Sequence, residues 1–175
     1  MDYPAPKRVI PHFIDCILNQ RPLLLSGDGA QRRSFCFVDD MIDGLMAVLK
    51  RAASMDGPRK HCFNLGHPEP ITIRELARVV VGCALDIGLI EKPLPVVADR
   101  FVYSQAFDDR WHRTPDIAHA HQELGFSPSV PLRDGLQRTL TYYHRLQRQA
   151  HSHRPKARTR ERSDAPRLGS VDAAY

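Results

Sequence analysis

The spacing of apolar residues along the chain predicts alternating helices and short strands. Residues 8–19 place apolar side chains at every third or fourth position, which is typical of a helix with one buried face. A leucine run at residues 22–25 ends in the glycine-rich turn 27–29, and a second short apolar stretch follows at residues 34–38. Both stretches are predicted to be strands, because turn residues bound them.

The middle of the chain continues this alternation. Asp39 or Asp40 is predicted to cap a helix whose apolar residues lie between 41 and 49. After a polar loop, residues 61–65 are predicted to form a third strand, because they are extended-type residues bounded by glycine and proline.

Thr72 and Glu75 have the T-x-x-E spacing of a capping box, in which each side chain satisfies a free backbone N–H at the start of a helix. A helix is therefore predicted from this point to Ile87. The remaining predicted elements are a strand at 93–97, a long loop to Pro115, a helix at 116–124 stopped by Gly125, and a helix at 132–146. The order is that of an α/β chain without internal repeats.

Length and composition indicate a single-domain globular protein. With 175 residues and 42% hydrophobic content, the chain is long enough for one domain around one core. No apolar run approaches the roughly 20 residues of a membrane-spanning helix. The N-terminus has no signal-peptide pattern, so no membrane partner and a cytoplasmic location are expected.

The formal net charge of +5 is concentrated at the C-terminus. From Arg145 onward there are eight Lys or Arg residues against three Asp or Glu, so the rest of the chain is neutral by the same count. We predict a body at residues 1–149 and a basic, disordered tail at residues 150–175. Nucleic acid is not the expected partner, because such a tail is more often simply solvated.

The cysteine and histidine patterns predict no metal site. The four cysteines stand singly in apolar stretches without a C-x-x-C pair, and they are expected to be buried free thiols. His119 and His121 are two residues apart, which places them on different faces of a helix. The turn 27–29 is not a dinucleotide-binding fingerprint either, because it lacks a third glycine and leads into a strand.

Several stretches, in matching order and spacing, resemble the extended short-chain dehydrogenase/reductases that act on nucleotide sugars. Residues 8–14 (RVIPHFI) are similar to that family's hydrophobic-Ile-Pro-x-Phe-Ile helix. Residues 22–40 (PLLLSGDGAQRRSFCFVDD) are similar to its P-h-x-h-Y-G-D-G-x-Q-x-R-x-F-x-Y-V-D-D segment. Residues 64–66 (NLG) and 113–116 (RTPD) are similar to its N-h-G and R-x-P-D/S motifs. The likeness extends over residues 8–147 and is greatest to the UDP-glucuronate decarboxylase branch.

The resemblance implies the C-terminal, substrate-binding portion of an extended Rossmann-type α/β fold, without the N-terminal dinucleotide-binding half. In that family the nucleotide-binding turn, a catalytic Ser/Thr and a Tyr-x-x-x-Lys pair lie upstream of the matching region, so they are expected to be absent here. NAD is thus implied as the family's cofactor, not as a ligand of this chain alone. The implied partners are a UDP-sugar, a separately encoded NAD-binding half and a second copy in a homo-oligomer.

The resemblance implies that two arginines form the centre of the substrate-binding site. Arg33 and Arg113 match the family's two diphosphate-contacting arginines, and a guanidinium group presents a planar set of donors suited to phosphate oxygens. From separate loops they would clamp the diphosphate, and Arg113 would also act catalytically by stabilising charge at the reacting carboxylate. The alternative from the residues alone is that Arg33 pairs with Asp28 or Asp39 at the surface.

Four more residues are implied as substrate contacts. Gln31 has donors and acceptors suited to the ribose or base, and Ile10 and Leu24 offer apolar surface to a uracil. Phe107 stands where the decarboxylase branch often has Tyr, and Ser26 stands where the family usually has an aromatic residue. Two other functions stay open: a non-catalytic interaction module whose basic tail contacts nucleic acid or a protein, and a decayed fragment.

Overall fold

A computed structural model of the chain describes residues 8–54, 62–99 and 112–152. These ranges contain five helices and five short strands. Their bounds are α1 Val9–Leu18, β1 Leu23–Ser26, β2 Arg32–Ser34, α2 Val38–Ala53, β3 Pro70–Thr72, α3 Ile73–Asp86, β4 Val96–Asp99, β5 His112–Arg113, α4 Ala118–Leu124 and α5 Leu132–Ser152. None of the helices in the described ranges combines the length and the apolarity that a bilayer span requires.

The core lies between α1, α3, α5 and one face of a parallel sheet formed by β1 and β4. Its largest fully buried side chains include Phe13, Ile17, Leu23, Leu76, Val80 and Leu140. β1 directs Leu23 and Leu25 into this core, whereas Leu24 lies on the opposite face because side chains alternate along a strand. Leu24 and its partner Val97 are 41% and 43% exposed, so the outer face of this sheet is apolar.

The capping box predicted at the start of α3 is confirmed. Thr72 Oγ1 accepts a hydrogen bond from the backbone N–H of Glu75 at 3.1 Å, and Glu75 Oε2 accepts one from the backbone N–H of Thr72 at 3.0 Å. Bonds from the hydroxyl and backbone of Thr72 lower the pKa of the Glu75 carboxyl. The helix behind the box buries Leu76 and Val80, which fixes where α3 enters the core.

A second sheet has three strands in the order β3-β2-β5, with β2 in the middle. β2 pairs antiparallel with β3 and parallel with β5. The sequence did not predict β3, which ends at the capping residue Thr72, or β5, which has two residues inside the predicted long loop. The strand predicted at 61–65 is wrong over 62–65, where the chain has no regular element.

The glycine-rich turn between β1 and β2 forms as predicted and is clamped to α3. Gly27 and Gly29 both have positive φ, at 64° and 72°. Arg74 donates from Nε and Nη2 to the Asp28 carbonyl at 2.9 and 2.5 Å, and from its backbone N–H to the Gly29 carbonyl at 3.0 Å. A Cβ on Gly29 would lie 2.9 Å from Leu25 and 3.2 Å from Arg74.

The prediction that Asp39 or Asp40 caps α2 is wrong. Phe37 occupies the N-cap position, and Asp40 lies inside the first turn, only 4% exposed. The Asp40 carboxylate accepts hydrogen bonds from the backbone N–H groups of Ser129 and Val130 at 2.9 and 3.1 Å, and from the Ser129 hydroxyl at 3.2 Å. Asp40 therefore ties α2 to the loop before α5.

The two C-terminal helices form with shifted bounds. α4 begins at Ala118 because the Asp116 carboxylate accepts the Ala118 N–H at 2.9 Å, and Gly125 ends the helix with a φ of 66°, as predicted. α5 continues to Ser152, beyond its predicted end, so the first residues of the predicted tail are helical. Residues 153–175 lie outside the described ranges, and their disorder stays a prediction.

All four cysteines are free thiols. Cys16 and Cys83 are buried, as expected, and Cys36 is half-buried. The expectation of burial is wrong for Cys62, which is exposed. Burial raises the pKa of the Cys36 and Cys83 thiols, which favours their neutral form.

Replacing Gly29 by Ala should destabilise the fold more than replacing Gly88. Both residues have similar positive φ values, 72° and 68°, but a Cβ meets nothing within 4 Å at Gly88. We expect a loss of roughly 1–2 kcal/mol for Gly88→Ala from the backbone alone, and about 1–3 kcal/mol more for Gly29→Ala from the contacts with Leu25 and Arg74. Urea unfolding measures both, and equal losses would contradict the clamped turn.

The acid stability of the chain should depend on Asp40. Burial by itself raises the pKa of this carboxyl, but the hydrogen bonds from Ser129 and Val130 outweigh burial and hold the pKa below its ordinary value of 3.8. A lowered folded-state pKa means that the carboxylate stabilises the fold above the unfolded-state pKa and loses that contribution as the pH falls through the folded-state pKa.

Asp40→Asn should therefore reduce the loss of unfolding free energy on acidification below about pH 4. Urea unfolding from about pH 2 to about pH 6 tests this, with Asp43→Asn as the exposed control on the same helix. The Asp43 variant should keep the wild-type slope. An unchanged slope in the Asp40 variant would contradict the assignment.

Candidate functional site

Arg33 and Arg113 face each other across two paired strands. Arg33 is the middle residue of β2, Arg113 is the second residue of β5, and the parallel register opposes them directly. Both side chains therefore project from the same face of the sheet. Neighbouring strands in a sheet are about 4.8 Å apart. Arg33 is half-buried and Arg113 is exposed. The two lie on adjacent strands and not on the separate loops that were predicted, and their binding role stays a prediction.

The segment after Arg113 is held by the Asn-Leu-Gly stretch that follows α2. Asn64 Nδ2 donates a hydrogen bond to the Asp116 carbonyl at 3.0 Å. A Cβ on Gly66 would lie 2.7 Å from the Pro115 ring, so glycine permits this close packing. The two short motifs that carried part of the resemblance are thus in contact, and together they fix the chain immediately after Arg113.

The two acidic residues considered as alternative partners of Arg33 each have a contact of their own. The Asp28 carboxylate accepts a hydrogen bond from the backbone N–H of Ala30 at 2.9 Å, and the Asp39 carboxylate lies 3.6 Å from the Arg138 guanidinium group. Arg33 donates a hydrogen bond from Nη1 to the Arg32 carbonyl at 2.7 Å.

Gln31 braces the chain at the entry to β2. Its Nε2 donates to the Ser26 carbonyl at 3.2 Å, and its own carbonyl accepts the backbone N–H of Ile73 at 3.0 Å. Gln31 therefore joins the end of β1 to the start of α3. A contact with a ribose or base would require its amide to leave Ser26, and this contact stays a prediction.

Two of the other predicted substrate contacts, Leu24 and Ile10, are not part of the arginine-bearing sheet. Leu24 is on the outer face of β1, which belongs to the other sheet. Ile10 is on α1, half-buried and packed against the core. Phe107 lies outside the described residues. The roles of all three stay predictions.

The turn 27–29 does not fit the pyrophosphate of NAD. A dinucleotide site directs backbone N–H groups at a helix N-terminus toward the phosphates. Here the turn leads into β2, and Arg74 of α3 occupies its carbonyl groups. Within the described ranges, no cluster of His, Cys, Asp or Glu is suited to a metal ion either.

One spacing corrects the expected absence of a Tyr-x-x-x-Lys pair. Tyr3 and Lys7 are four residues apart, as that pair requires. Residues 1–7 lie outside the described ranges, and no catalytic role is assigned to this spacing.

Sequence reasoning missed the residues that position the two arginines. Gly66 was identified only as part of the N-h-G motif and Arg74 was not identified at all, although each makes a close contact that holds a strand or turn in place. That motif is the sequence signal for Gly66. Arg74 gives none, because its partner carbonyl is distant in the sequence.

Comparisons with known proteins agree with this architecture. A sequence model of the "NAD dependent epimerase/dehydratase family" matches residues 2–66. UDP-D-apiose/UDP-D-xylose synthase 1 of Arabidopsis thaliana is 31% identical over 147 residues, which cover 82% of this chain and 37% of the relative. UDP-glucuronic acid decarboxylase 4 of the same plant is 38% identical over 130 residues, which cover 74% of this chain and 26% of the relative.

Solved structures show the same fold. An epimerase from Methanothermobacter thermautotrophicus is 28% identical with a TM-score of 0.67, over 84% of this chain and 40% of that one. The UDP-glucuronic acid 4-epimerase of Bacillus cereus, solved with UDP-glucuronic acid and NAD, is 27% identical with a TM-score of 0.63, over 81% of this chain and 41% of that one.

The two sheets, their helices and these likenesses define part of a Rossmann-type epimerase fold. The chain belongs to the NAD-dependent epimerase/dehydratase family, as the resemblance implied. It spans between 26% and 37% of the two curated relatives and 40% to 41% of the two solved chains.

Gly66→Ala should weaken both the fold and the site. The added methyl group would push against Pro115 and displace the chain that follows Arg113. We expect a loss of about 1–3 kcal/mol in unfolding free energy from overpacking. Urea unfolding measures the loss, with Gly82→Ala on α3 as control.

A Cβ on Gly82 would make only ordinary contacts, at 3.7 and 3.9 Å, with the Arg133 side chain. Because alanine is more favourable than glycine inside a helix, this control variant should have unchanged stability or be stabilised by about 0.5–1 kcal/mol. Equal behaviour of the two variants would show that the contact with Pro115 does not constrain the chain.

Proposed function

We propose that this chain binds the diphosphate of a UDP-sugar between Arg33 and Arg113. The direct opposition of the two arginines on one face of the sheet carries this proposal. A diphosphate that both guanidinium groups contact would accept charge-assisted hydrogen bonds from each of them.

The surroundings of the pair suit an anionic ligand. The exposed Arg113 leaves access from solvent, while the bond from Arg33 to the Arg32 carbonyl orients the half-buried guanidinium group. The relative from Bacillus cereus was solved with UDP-glucuronic acid, a ligand that contains such a diphosphate. This likeness supports UDP-sugars as the ligand class.

Turnover requires, in this proposal, an NAD-binding half of the same fold. NAD, when bound there, supplies the transient oxidation of the sugar. This chain binds the diphosphate. In a decarboxylase reaction, Arg113 also stabilises negative charge near the reacting carboxylate. The chain alone therefore binds nucleotide without converting it.

Isothermal titration of the 175-residue chain with UDP and with UDP-glucuronic acid tests the proposal. Arg33→Ala and Arg113→Ala should each weaken binding about tenfold or more, because a hydrogen bond to a charged group contributes roughly 1.5–3 kcal/mol. Uridine, which lacks the diphosphate, should bind wild type and both variants equally weakly.

Arg21→Ala is the matched control. Arg21 is an exposed arginine that pairs with Asp15 at 2.6 Å and precedes β1, at the end of that strand opposite to the glycine-rich turn. Its loss should leave UDP affinity unchanged. Equal heats from wild type and the Arg33 variant, or equal losses from all three arginine variants, would reject the clamp.

A further inference from the structure

The last helix, α5, continues beyond the core. Its first half buries Leu136 and Leu140, which are 3% and 0% exposed. Of the side chains that the structure describes after Leu140, none is buried, although the helix runs to Ser152. A rise of 1.5 Å per residue takes the helix about 18 Å past Leu140. Residues 141–152, here called the distal α5 segment, therefore form a regular but exposed part of the helix.

Two neighbouring tyrosines lie on the surface of the distal α5 segment. Tyr142 and Tyr143 are 49% and 42% exposed, and their rings meet edge to face with centroids 5.5 Å apart. The Arg145 guanidinium carbon lies 5.8 Å from the centroid of the Tyr142 ring. Aromatic rings and arginine side chains are the groups on which nucleic-acid bases stack. The segment therefore presents a stacking surface near its start.

The charge of this part of the chain has a single sign. Residues 135–160 include six Arg and one Lys but no Asp or Glu. Two of these arginines, Arg145 and Arg148, are exposed on the distal α5 segment, and neither forms an ion pair within the described residues. Their positive charge is therefore not neutralised by a described carboxylate, and it is complementary to a polyanion.

The ring and the two cations form one row on the helix. Tyr142, Arg145 and Arg148 follow one another at intervals of three residues, so each is a surface neighbour of the next. A helix that binds an anionic membrane separates its basic residues from a face of large apolar residues. Here a ring and cations share one row, as bases and phosphates do along a single strand of nucleic acid. In a duplex the bases are out of reach, so the row favours a single strand.

We propose that the row of Tyr142, Arg145 and Arg148 binds single-stranded nucleic acid, with phosphates at the two arginines and a base against the Tyr142 ring. Composition alone predicts a solvated basic tail. The helix adds what composition lacks, which is a fixed arrangement of a ring beside exposed cations. The row shares no residue with the proposed diphosphate clamp, so failure of one proposal leaves the other intact.

Fluorescence anisotropy with the full 175-residue chain and a labelled oligothymidylate of about 20 nucleotides tests the inference. Tyr142→Leu should weaken binding about tenfold, because stacking is lost while the charge is kept. Arg145→Gln with Arg148→Gln should lower the slope of log affinity against log salt by about 1.4, since each phosphate contact with a single strand contributes roughly 0.7. Both variants should keep the wild-type melting curve by circular dichroism, because the three side chains are exposed.

Arg154→Gln with Arg158→Gln is the matched control. It removes the same number of charges from residues that follow the described ranges and keeps the row, so it should bind like wild type. Arg33→Ala should also bind like wild type. Binding of a duplex of the same length should not respond to Tyr142→Leu, because its bases are inaccessible to the ring.

Several results would overturn the inference: no binding of the oligothymidylate by the wild-type chain, wild-type affinity in the Tyr142 variant, or an equal loss in the Arg154 and Arg158 control. A loss of binding in Arg33→Ala would assign the oligonucleotide to the diphosphate clamp instead. Binding to phosphatidylserine vesicles without binding to the oligothymidylate would assign the row to an anionic lipid surface.

Discussion

The register of β2 between β3 and β5 places Arg33 opposite Arg113 on one face of the sheet. A shift of one residue in the pairing of β2 with β5 would turn Arg33 to the opposite face of the sheet from Arg113. Three contacts hold the register in place: Arg74 clamps the turn before β2, Gln31 bonds to α3, and Gly66 packs against Pro115 after β5. The proposed diphosphate clamp therefore depends on neutral packing and backbone hydrogen bonds as well as on the two cations.

The helix α2, which follows β2, is also fixed by a contact with a distant part of the chain. Asp40 fixes one side of α2 to the loop before α5, while the apolar side remains at the surface. The buried Asp40 carboxylate accepts three hydrogen bonds, as buried polar groups generally require.

Much of this architecture follows from local sequence signals, and the rest depends on contacts between distant residues. The capping box at Thr72 was predicted because both partners lie within one helical turn. β5 was not, because two residues in an aperiodic loop become a strand only when β2 lies beside them. The periodicity of α2 predicted a helix correctly but gave no information on which face is covered. Asp40 was misassigned as a cap because its partners, Ser129 and Val130, lie far along the chain.

The most direct test of the account is a double-mutant cycle on UDP binding with Arg33→Ala, Arg113→Ala and the double variant. If both guanidinium groups hold one diphosphate, the two losses are coupled, and the double variant should depart from additivity by about 0.5–3 kcal/mol. Losses that add to within about 0.5 kcal/mol would mean that the arginines act independently, and this would contradict a shared clamp.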